Sequence, residues 1–199
     1  MNLKLKKLSK YNLILASRSP RRQTLLRGLD LDFQVVVKNT DESYPSDIPI
    51  QDVPEFLSRK KAGSINLQKK PKKTIVITAD TVVILDNAII EKPGSEDEAK
   101  VMLSKLSGRQ HTVITGVCLT SLEKQVSFSS ISQVFFKHLS EDDIAYYVEK
   151  YQPYDKAGSY GIQEWIGYVA IERIEGSFYN VMGLPTQRLF EELVKFVEN

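Results

Sequence analysis

Residues 17–22, Ser-Arg-Ser-Pro-Arg-Arg, combine residue types suited to binding an anion. They follow the apolar residues 12–16, which have the length of a buried strand. Ser19 is a favoured helix N-cap and Pro20 a favoured first helical residue, so two arginines fall in the first helical turn. Arginine is poorly placed there for stability, because the helix dipole already makes that end positive. The segment indicates a phosphate site, although a solvated surface turn also explains it.

Carboxylates form the second group of candidate residues. Asp80 follows the β-branched residues 74–78 and is expected at the end of a strand, where it caps a turn, faces solvent or lies in a cleft. Asp41 and Glu42 lie in a loop rich in Asp, Ser and Pro, where acid pairs are usually solvated. Brought close to Asp80, such a pair would supply oxygen ligands for Mg²⁺ or Mn²⁺.

Two lysines and a glycine-containing segment complete the set of candidates. Lys61 lies beside apolar residues on a predicted helix face, where snorkelling is the simpler explanation. Lys92 precedes Pro-Gly at a turn, and exposed lysines are common at turns. Residues 155–163 place polar groups beside two glycines, which let a backbone approach a ligand closely. The Gln163 amide at the end of this segment is suited to contacting the edge of a base.

Hydrophobic periodicity predicts the elements that must position these residues. Strands and helices alternate at the start of the chain, and residues 111–122 and 126–136 resemble a long antiparallel pair. This pattern predicts an α/β fold with a mixed sheet, and we expect a ligand in a cleft between two lobes. Helices are predicted to begin near Asp52, Ser95, Ser140 and Thr186, and a further short strand is predicted at residues 168–174.

Composition excludes several classes of protein. The 199 residues are 42% hydrophobic and 26% charged, as in ordinary globular proteins, and the net charge of +2 gives no case for specific nucleic-acid binding. No segment approaches the length of a membrane span. A single cysteine rules out an internal disulfide and favours a cytoplasmic location. The basic residues 1–11 lack the apolar core of a signal peptide and are expected to be solvated and mobile.

Seven short segments occur in the order in which the Maf family of nucleoside triphosphate pyrophosphatases has them, and the chain resembles that family from about Asn12 to its C-terminal helix. The segments are residues 17–22, 61–62, 79–81, 91–93, 106–108, 155–163 and 183–185. The resemblance implies a fold similar to that of the inosine triphosphate pyrophosphatases, a long mixed sheet with two lobes and a cleft. We therefore expect a basic extension at residues 1–11 and a single two-lobed domain at residues 12–199.

The resemblance also implies an activity. It implies hydrolysis of a nucleoside triphosphate between the α- and β-phosphates, with a divalent cation (Mg²⁺ or Mn²⁺). Family members with the residues found here at Arg21, Thr81 and Gln163 prefer dTTP and UTP. Two alternatives stay open, a nucleotide-binding regulator of septum formation and a 7-methyl-GTP pyrophosphatase, and a homodimer is also compatible with the resemblance.

Roles for individual residues follow from the same resemblance. Four residues would bind the triphosphate: Ser17, Arg22, Lys61 and Lys92. Asp80 would be the general base, or would hold a metal-bound water that attacks the α-phosphorus. Glu42 would join Asp80 as a metal ligand. Asp41 is the alternative ligand, because the loop at residues 39–42 departs from the family's more usual glycine-containing form.

Overall fold

The computed structural model describes residues 2–198, in which strands alternate with helices. The strands are β1 (Asn12–Leu15), β2 (Phe33–Val35), β3 (Thr74–Leu85), β4 (Ala88–Ile90), β5 (Gln110–Thr120), β6 (Gln125–Phe136) and β7 (Ile171–Glu175). The helices are α1 (Leu3–Leu8), α2 (Pro20–Arg27), α3 (Val53–Gly63), α4 (Glu96–Leu106), α5 (Glu141–Tyr151), α6 (Trp165–Ala170), α7 (Phe178–Met182) and α8 (Thr186–Glu198). Across the described helices, none has both the length and the apolar character needed to cross a membrane.

The strands form one mixed sheet. Their order is β2-β1-β3-β5-β6-β7, with β4 paired to β3. Strand β1 runs parallel to both β2 and β3, whereas β4 is antiparallel to β3 and β7 is antiparallel to β6. The predicted α/β class with a mixed sheet is therefore confirmed.

Strand β3 continues through 12 residues and contains Asp80 in its interior. The prediction that the strand ends near Asp80 is wrong. Thr81, Val82 and Val83 have β-branched side chains, which favour extended backbone, and both valines are buried. Propensity and burial together carry the strand past the acidic residue, so Asp80 is held by a rigid element.

The chain divides into two compact units. Unit 1 takes in the chain up to Asp80, residues 115–130 and the chain from Gly183; unit 2 takes in residues 81–114 and 131–182. In unit 1, Ile14 of β1 and Val76 of β3 pack with Ile65 in a buried apolar cluster. Unit 2 has its own larger core from β3, β5, β6 and the helices α4 to α6. The boundaries of the single domain predicted at residues 12–199 stay a prediction.

The N-terminal segment contains a short helix. Most of its described side chains are exposed, as expected of a solvated segment, but Leu8 is buried. Its mobility stays a prediction. Leu3–Leu8 form helix α1, which contacts α8 within unit 1. Leu8 is fully buried, and Lys7 pairs with Glu198 at 2.7 Å. The lysines around Leu8 hide this contact in the sequence, because basic composition indicates solvation, whereas burial of an apolar side chain stabilises the docked helix.

The strand predicted at residues 168–174 is only partly present. Helix α6 extends to Ala170, and β7 begins at Ile171. Gly167 in this helix lies directly on Ile162, where a Cβ would come within 1.8 Å of the Ile162 carbonyl oxygen. This close packing holds the helical turn in place against the local strand propensity.

His111 is a buried titratable group in the core of unit 2. It is 2% exposed, its Nε2 lies 2.8 Å from the Tyr160 hydroxyl, and its ring meets Phe136 edge-on. Within residues 2–198, its Nδ1 has no hydrogen-bond partner. Burial lowers the pKa of His111 from 6.5 to about 4, because the imidazolium loses its hydration there.

We expect the free energy of unfolding to fall as the pH drops from 6.5 to about 4. In that window the unfolded chain binds a proton at His111 that the folded chain does not, so acid favours unfolding. A shift of this size corresponds to about 3 kcal/mol. Urea denaturation across the window should show a shallower pH dependence for His111→Gln than for the wild type. His138→Gln, at an exposed histidine, is the control, and identical pH dependence in the wild type and His111→Gln would contradict the expectation.

Candidate active site

Lys61 joins two carboxylates in unit 1. It lies in the last turn of α3, and its Nζ is 2.5 Å from Oδ1 of Asp80 in β3. The same Nζ is 2.7 Å from Oε1 of Glu42. Helix α3 is fixed to β3 nearby, where the Thr78 hydroxyl donates to the Ser58 carbonyl oxygen at 2.7 Å. One ammonium group therefore bridges two acidic groups that are 38 residues apart in the chain, since they stand at positions 42 and 80.

Burial differs across this bridge. The side chains are 12% exposed at Asp80, 17% at Lys61 and 49% at Glu42. Burying a carboxylate without a neighbouring cation costs free energy, so the ammonium group of Lys61 stabilises Asp80 at this buried position. Glu42 remains open to solvent, which leaves this end of the bridge accessible to a dissolved ion or nucleotide.

Asp41 and Glu42 contact different lysines. Asp41 accepts from Lys60 Nζ at 2.7 Å and from the Ser43 N–H at 3.0 Å, whereas Glu42 contacts Lys61. The hydrogen bonds from Lys60 and Ser43 lower the pKa of the Asp41 carboxyl. Since successive helical residues project about 100° apart, Lys60 and Lys61 separate the two acids. Glu42 is thus brought to Asp80, and Asp41 is held on another face of α3.

The segment at residues 17–22 forms the predicted strand–turn–helix junction. The Ser19 side chain accepts from the Arg22 N–H at 3.4 Å and caps α2, and Pro20 is the first residue of the helix. Ser17 is 9% exposed, and its hydroxyl accepts from the Ser19 N–H at 3.2 Å. Arg21 is half-buried in the first turn of α2. The N-cap and first-turn predictions are confirmed.

Arg22 is bonded to the backbone of two segments that are distant in the chain. Its Nε donates to the Gly183 carbonyl oxygen at 2.7 Å, and its Nη1 donates to the Ala79 carbonyl oxygen at 2.8 Å. Burial lowers the pKa of the guanidinium, and the charge of Asp80 opposes that shift. Arg22 therefore fixes the backbone immediately before Asp80, an anchoring role that the sequence did not reveal. Its predicted contact with phosphate stays a prediction.

The remaining predicted site residues lie in unit 2. Thr81 is half-buried and follows Asp80 directly in β3, and Lys92 is exposed after β4. Gly158 donates its N–H to the Glu91 carbonyl oxygen at 3.2 Å, which ties the segment of Gln163 to the residue before Lys92. Gln163 is half-buried, and its Oε1 is buried without a hydrogen-bond partner in the described part of the chain.

A buried polar cluster in unit 2 was missed by sequence reasoning. It consists of Tyr147, Lys156 and Glu164. Tyr147 and Lys156 both contact the carboxylate of Glu164, the residue after Gln163. Lys156 and the start of this segment stood out in the sequence only as part of a glycine-containing stretch. No spacing rule joins a tyrosine on α5 to a glutamate in a later turn, so only the tertiary structure brings the three together.

The donor set for a metal is small. No cluster of three or more His, Cys, Asp or Glu side chains suited to holding an ion occurs within residues 2–198. Glu42 and Asp80 meet at Lys61 as a pair of carboxylates. Magnesium is commonly held by one or two carboxylates together with substrate phosphates and water, so this pair fits a cation that arrives with a nucleotide.

Comparison with known proteins gives consistent matches. The family model described as "Maf-like protein" matches residues 12–196. A "dTTP/UTP pyrophosphatase" of Bacteroides thetaiotaomicron is 52% identical over 189 residues, which are 94% of this chain and 97% of that protein. A protein of the same name from Porphyromonas gingivalis is 52% identical over 194 residues, covering 96% of this chain and 98% of that protein. Among solved structures, the Ham1 protein of Staphylococcus aureus aligns at a TM-score of 0.44 and 12% identity, over 63% of this chain and 71% of that one.

Proposed function

The chain belongs to the Maf family, and we propose that it hydrolyses dTTP and UTP to the nucleoside monophosphate and pyrophosphate. The relatives named for this activity are about half identical to it and span nearly its whole length. Arg21, Thr81 and Gln163 stand at the positions that the family resemblance links to a preference for these nucleotides. The observation that carries the chemistry is the bridge from Lys61 to Asp80 and Glu42.

The bridge suits attack of water on the α-phosphorus. The water oxygen bonds to that phosphorus, the bond to the oxygen of the β-phosphate breaks, and pyrophosphate leaves with the bonding electrons. Asp80 takes the proton of the attacking water as general base, from a fixed position inside β3. Lys61, beside it, is placed to stabilise negative charge on the phosphates as the bond breaks.

A divalent cation fits this site and would be held by Glu42 and Asp80. When bound, it supplies Lewis acidity and neutralises charge on the triphosphate. Lys61, which contacts both carboxylates, would also be available to the phosphate oxygens of the bound nucleotide. Mg²⁺ and Mn²⁺ both accept such oxygen donors.

The triphosphate carries several negative charges and needs more than one partner. Ser17 precedes the N-cap of α2 and Arg22 lies in the first turn, close to the helix end where N–H groups and the helix dipole favour an anion. Lys61 is the third ligand of the triphosphate in this proposal. Ser17, Arg22 and Lys61 would orient the α-phosphate toward Asp80. The family resemblance adds Lys92 as a further candidate ligand.

Base selection is assigned to Arg21, Thr81 and Gln163. The Gln163 Oε1 is a buried acceptor with no partner within residues 2–198, so it gains a bond from a ligand that offers a donor. Uracil and thymine carry N3–H at the pairing edge, whereas N3 of cytosine carries no hydrogen. An amide held with its oxygen toward N3 therefore favours dTTP and UTP over CTP.

The proposal extends to the cellular setting of the reaction. The net charge of +2 offers no general attraction to a nucleic-acid polymer, which is compatible with a free nucleotide as the substrate. A single cysteine in 199 residues is compatible with a reducing cytoplasm, where nucleotide pools are held. A homodimer, which is compatible with the resemblance, stays a prediction.

A nucleotide panel tests the proposed function. We expect release of pyrophosphate from dTTP and UTP to exceed release from CTP, ATP, GTP and 7-methyl-GTP, by on the order of a hundredfold in kcat/KM. Each nucleotide is assayed with Mg²⁺, with Mn²⁺ and with EDTA, and the products are resolved by ion-exchange chromatography. Release of orthophosphate instead of pyrophosphate, equal turnover of all nucleotides, or preference for 7-methyl-GTP would contradict the proposal.

A further inference from the structure

Unit 2 contains a buried polar cluster beside Gln163 that the proposed reaction does not use. The Tyr147 hydroxyl donates to Oε2 of Glu164, and Lys156 Nζ lies 3.1 Å from Oε1 of the same carboxylate. Tyr147 is fully buried, and the Lys156 side chain is 9% exposed. Both carboxylate oxygens of Glu164 are therefore held by separate donors. Tyr147, Lys156 and Glu164 are called the Glu164 clamp below.

The clamp also holds the backbone of the turn that contains Gln163. The Tyr147 hydroxyl accepts from the Gly161 N–H at 3.0 Å, and the Glu164 N–H donates to the Gly161 carbonyl oxygen at 2.9 Å. Gly161 allows this contact, because a Cβ there would come within 2.7 Å of the Glu164 carboxyl carbon. The turn from Gly161 to Glu164 is thus closed by both backbone and side-chain bonds, with Gln163 inside it.

The chemistry of the clamp suits a fixed arrangement. Burial raises the pKa of the Tyr147 hydroxyl, so Tyr147 remains a donor to Glu164 at physiological pH. Lys156 also pairs with Asp155 at 2.7 Å, so its buried charge is balanced by two carboxylates. Buried networks in which the members are bonded hold their neighbours rigidly.

Fixed orientation matters for a glutamine that recognises uracil. Half a turn about its last torsion exchanges the amide oxygen and nitrogen, and the reversed amide matches cytosine in place of uracil. A mobile Gln163 would accept both bases, so discrimination requires that its backbone and amide be held. The buried Oε1 of Gln163 lies next to the clamp in the chain, in the turn that the clamp closes.

We propose that the Glu164 clamp is a positioning device that orients Gln163 and thereby sets the preference for UTP and dTTP over CTP. This inference rests on the proposed function, because it takes Gln163 as the residue that contacts the base. Tyr147, Lys156 and Glu164 are positioning residues that act through Gln163.

Tyr147→Phe and Glu164→Gln test the inference. Each keeps the size of the side chain and removes one link of the clamp. We expect KM for UTP to rise on the order of tenfold while kcat changes less, because orientation of the base is lost and the chemistry is not. The ratio of kcat/KM for UTP to that for CTP should fall by a similar factor. Tyr146→Phe, at an exposed tyrosine on α5, and Glu172→Gln, at an exposed glutamate in β7, are the matched controls and should leave the ratio unchanged.

The ratio of kcat/KM for UTP to that for CTP distinguishes a loss of base recognition from weaker phosphate binding and from a loss of thermal stability. Because the Gly158 N–H is bonded to the Glu91 carbonyl oxygen, loosening this segment could also disturb the residue before Lys92. Weaker phosphate binding, however, would lower kcat/KM for UTP and for CTP by the same factor. Loss of thermal stability with an unchanged UTP/CTP ratio in both variants would overturn the inference and leave the clamp a structural feature only. If Glu164→Gln does not fold, Tyr147→Phe decides alone, since it removes only a hydroxyl.

Gln163→Ala distinguishes failure of this inference from failure of the proposed function. If Gln163→Ala loses the preference for UTP while both clamp variants keep it, the inference is wrong and the proposed function stands. If the wild type itself does not prefer UTP to CTP, the proposed function is wrong, and the inference is wrong with it.

Discussion

Asp80→Asn is expected to lower the turnover of dTTP on the order of a hundredfold or more, while the nucleotide still binds. Asparagine keeps the shape of the side chain and still accepts a hydrogen bond from Lys61, but it does not take a proton from water. Asp80 lies inside β3 with its side chain 12% exposed, so the variant retains the position of the group and loses only its basicity and charge. Pyrophosphate release measures turnover, and calorimetry with a non-hydrolysable α,β-imido analogue measures binding.

Asp86→Asn is the matched control for this experiment. Asp86 is an exposed residue of the turn after β3, at a φ of 50°, a conformation that asparagine tolerates well. Near-normal turnover by Asp80→Asn would remove Asp80 from the mechanism. Loss of turnover with intact binding would also argue against a regulator that only binds nucleotide, because a sensor does not depend on a general base.

Glu42→Gln is expected to raise the Mg²⁺ concentration that half-maximal activity requires, by at least on the order of tenfold. An amide oxygen without charge is a much weaker ligand for a hard cation than a carboxylate. Asp41→Asn is the control at the neighbouring position and should leave the Mg²⁺ dependence unchanged, because Asp41 contacts Lys60 and Ser43 instead of Lys61. Activity measured across a Mg²⁺ titration at saturating dTTP gives the Mg²⁺ concentration for half-maximal activity of each variant.

The titration also distinguishes two roles for Glu42. If Glu42 only anchors Lys61, Glu42→Gln lowers kcat without changing the Mg²⁺ concentration required. If Asp41→Asn weakens the response to Mg²⁺ and Glu42→Gln does not, the assignment of the metal ligand is wrong and Asp41 takes its place.

Local signals predicted much of the framework correctly. The α/β class and the helix at residues 20–27 follow from apolar periodicity and from capping residues, and Ser19 and Ser140 cap their helices as expected. Predictions were wrong or incomplete where burial opposed the local pattern. Strand β3 passes through Asp80 because its next residues are buried, and α1 docks through Leu8 despite its lysines.

The candidate site was only partly predictable for a related reason. The sequence identified Lys61, Asp80 and Glu42 as candidates. It could not choose between Asp41 and Glu42, because they are neighbouring acidic residues of one loop and share the same local sequence. The choice depends on the directions of Lys60 and Lys61 on α3, which are set by how that helix packs on β3. Side-chain direction is a property of the packed helix, so it becomes defined only with the tertiary structure.

The sequence by itself determined the family, the fold class and the residue types available for chemistry, because these reside in short motifs, periodicity and caps. The tertiary structure decided which of those residues meet. It brought one ammonium between Glu42 and Asp80, and it bonded Arg22 to Gly183, 161 residues away. It also assembled the Glu164 clamp around the turn of Gln163. Contacts between distant segments depend on burial and on the direction of each side chain, and no local pattern of residues encodes either.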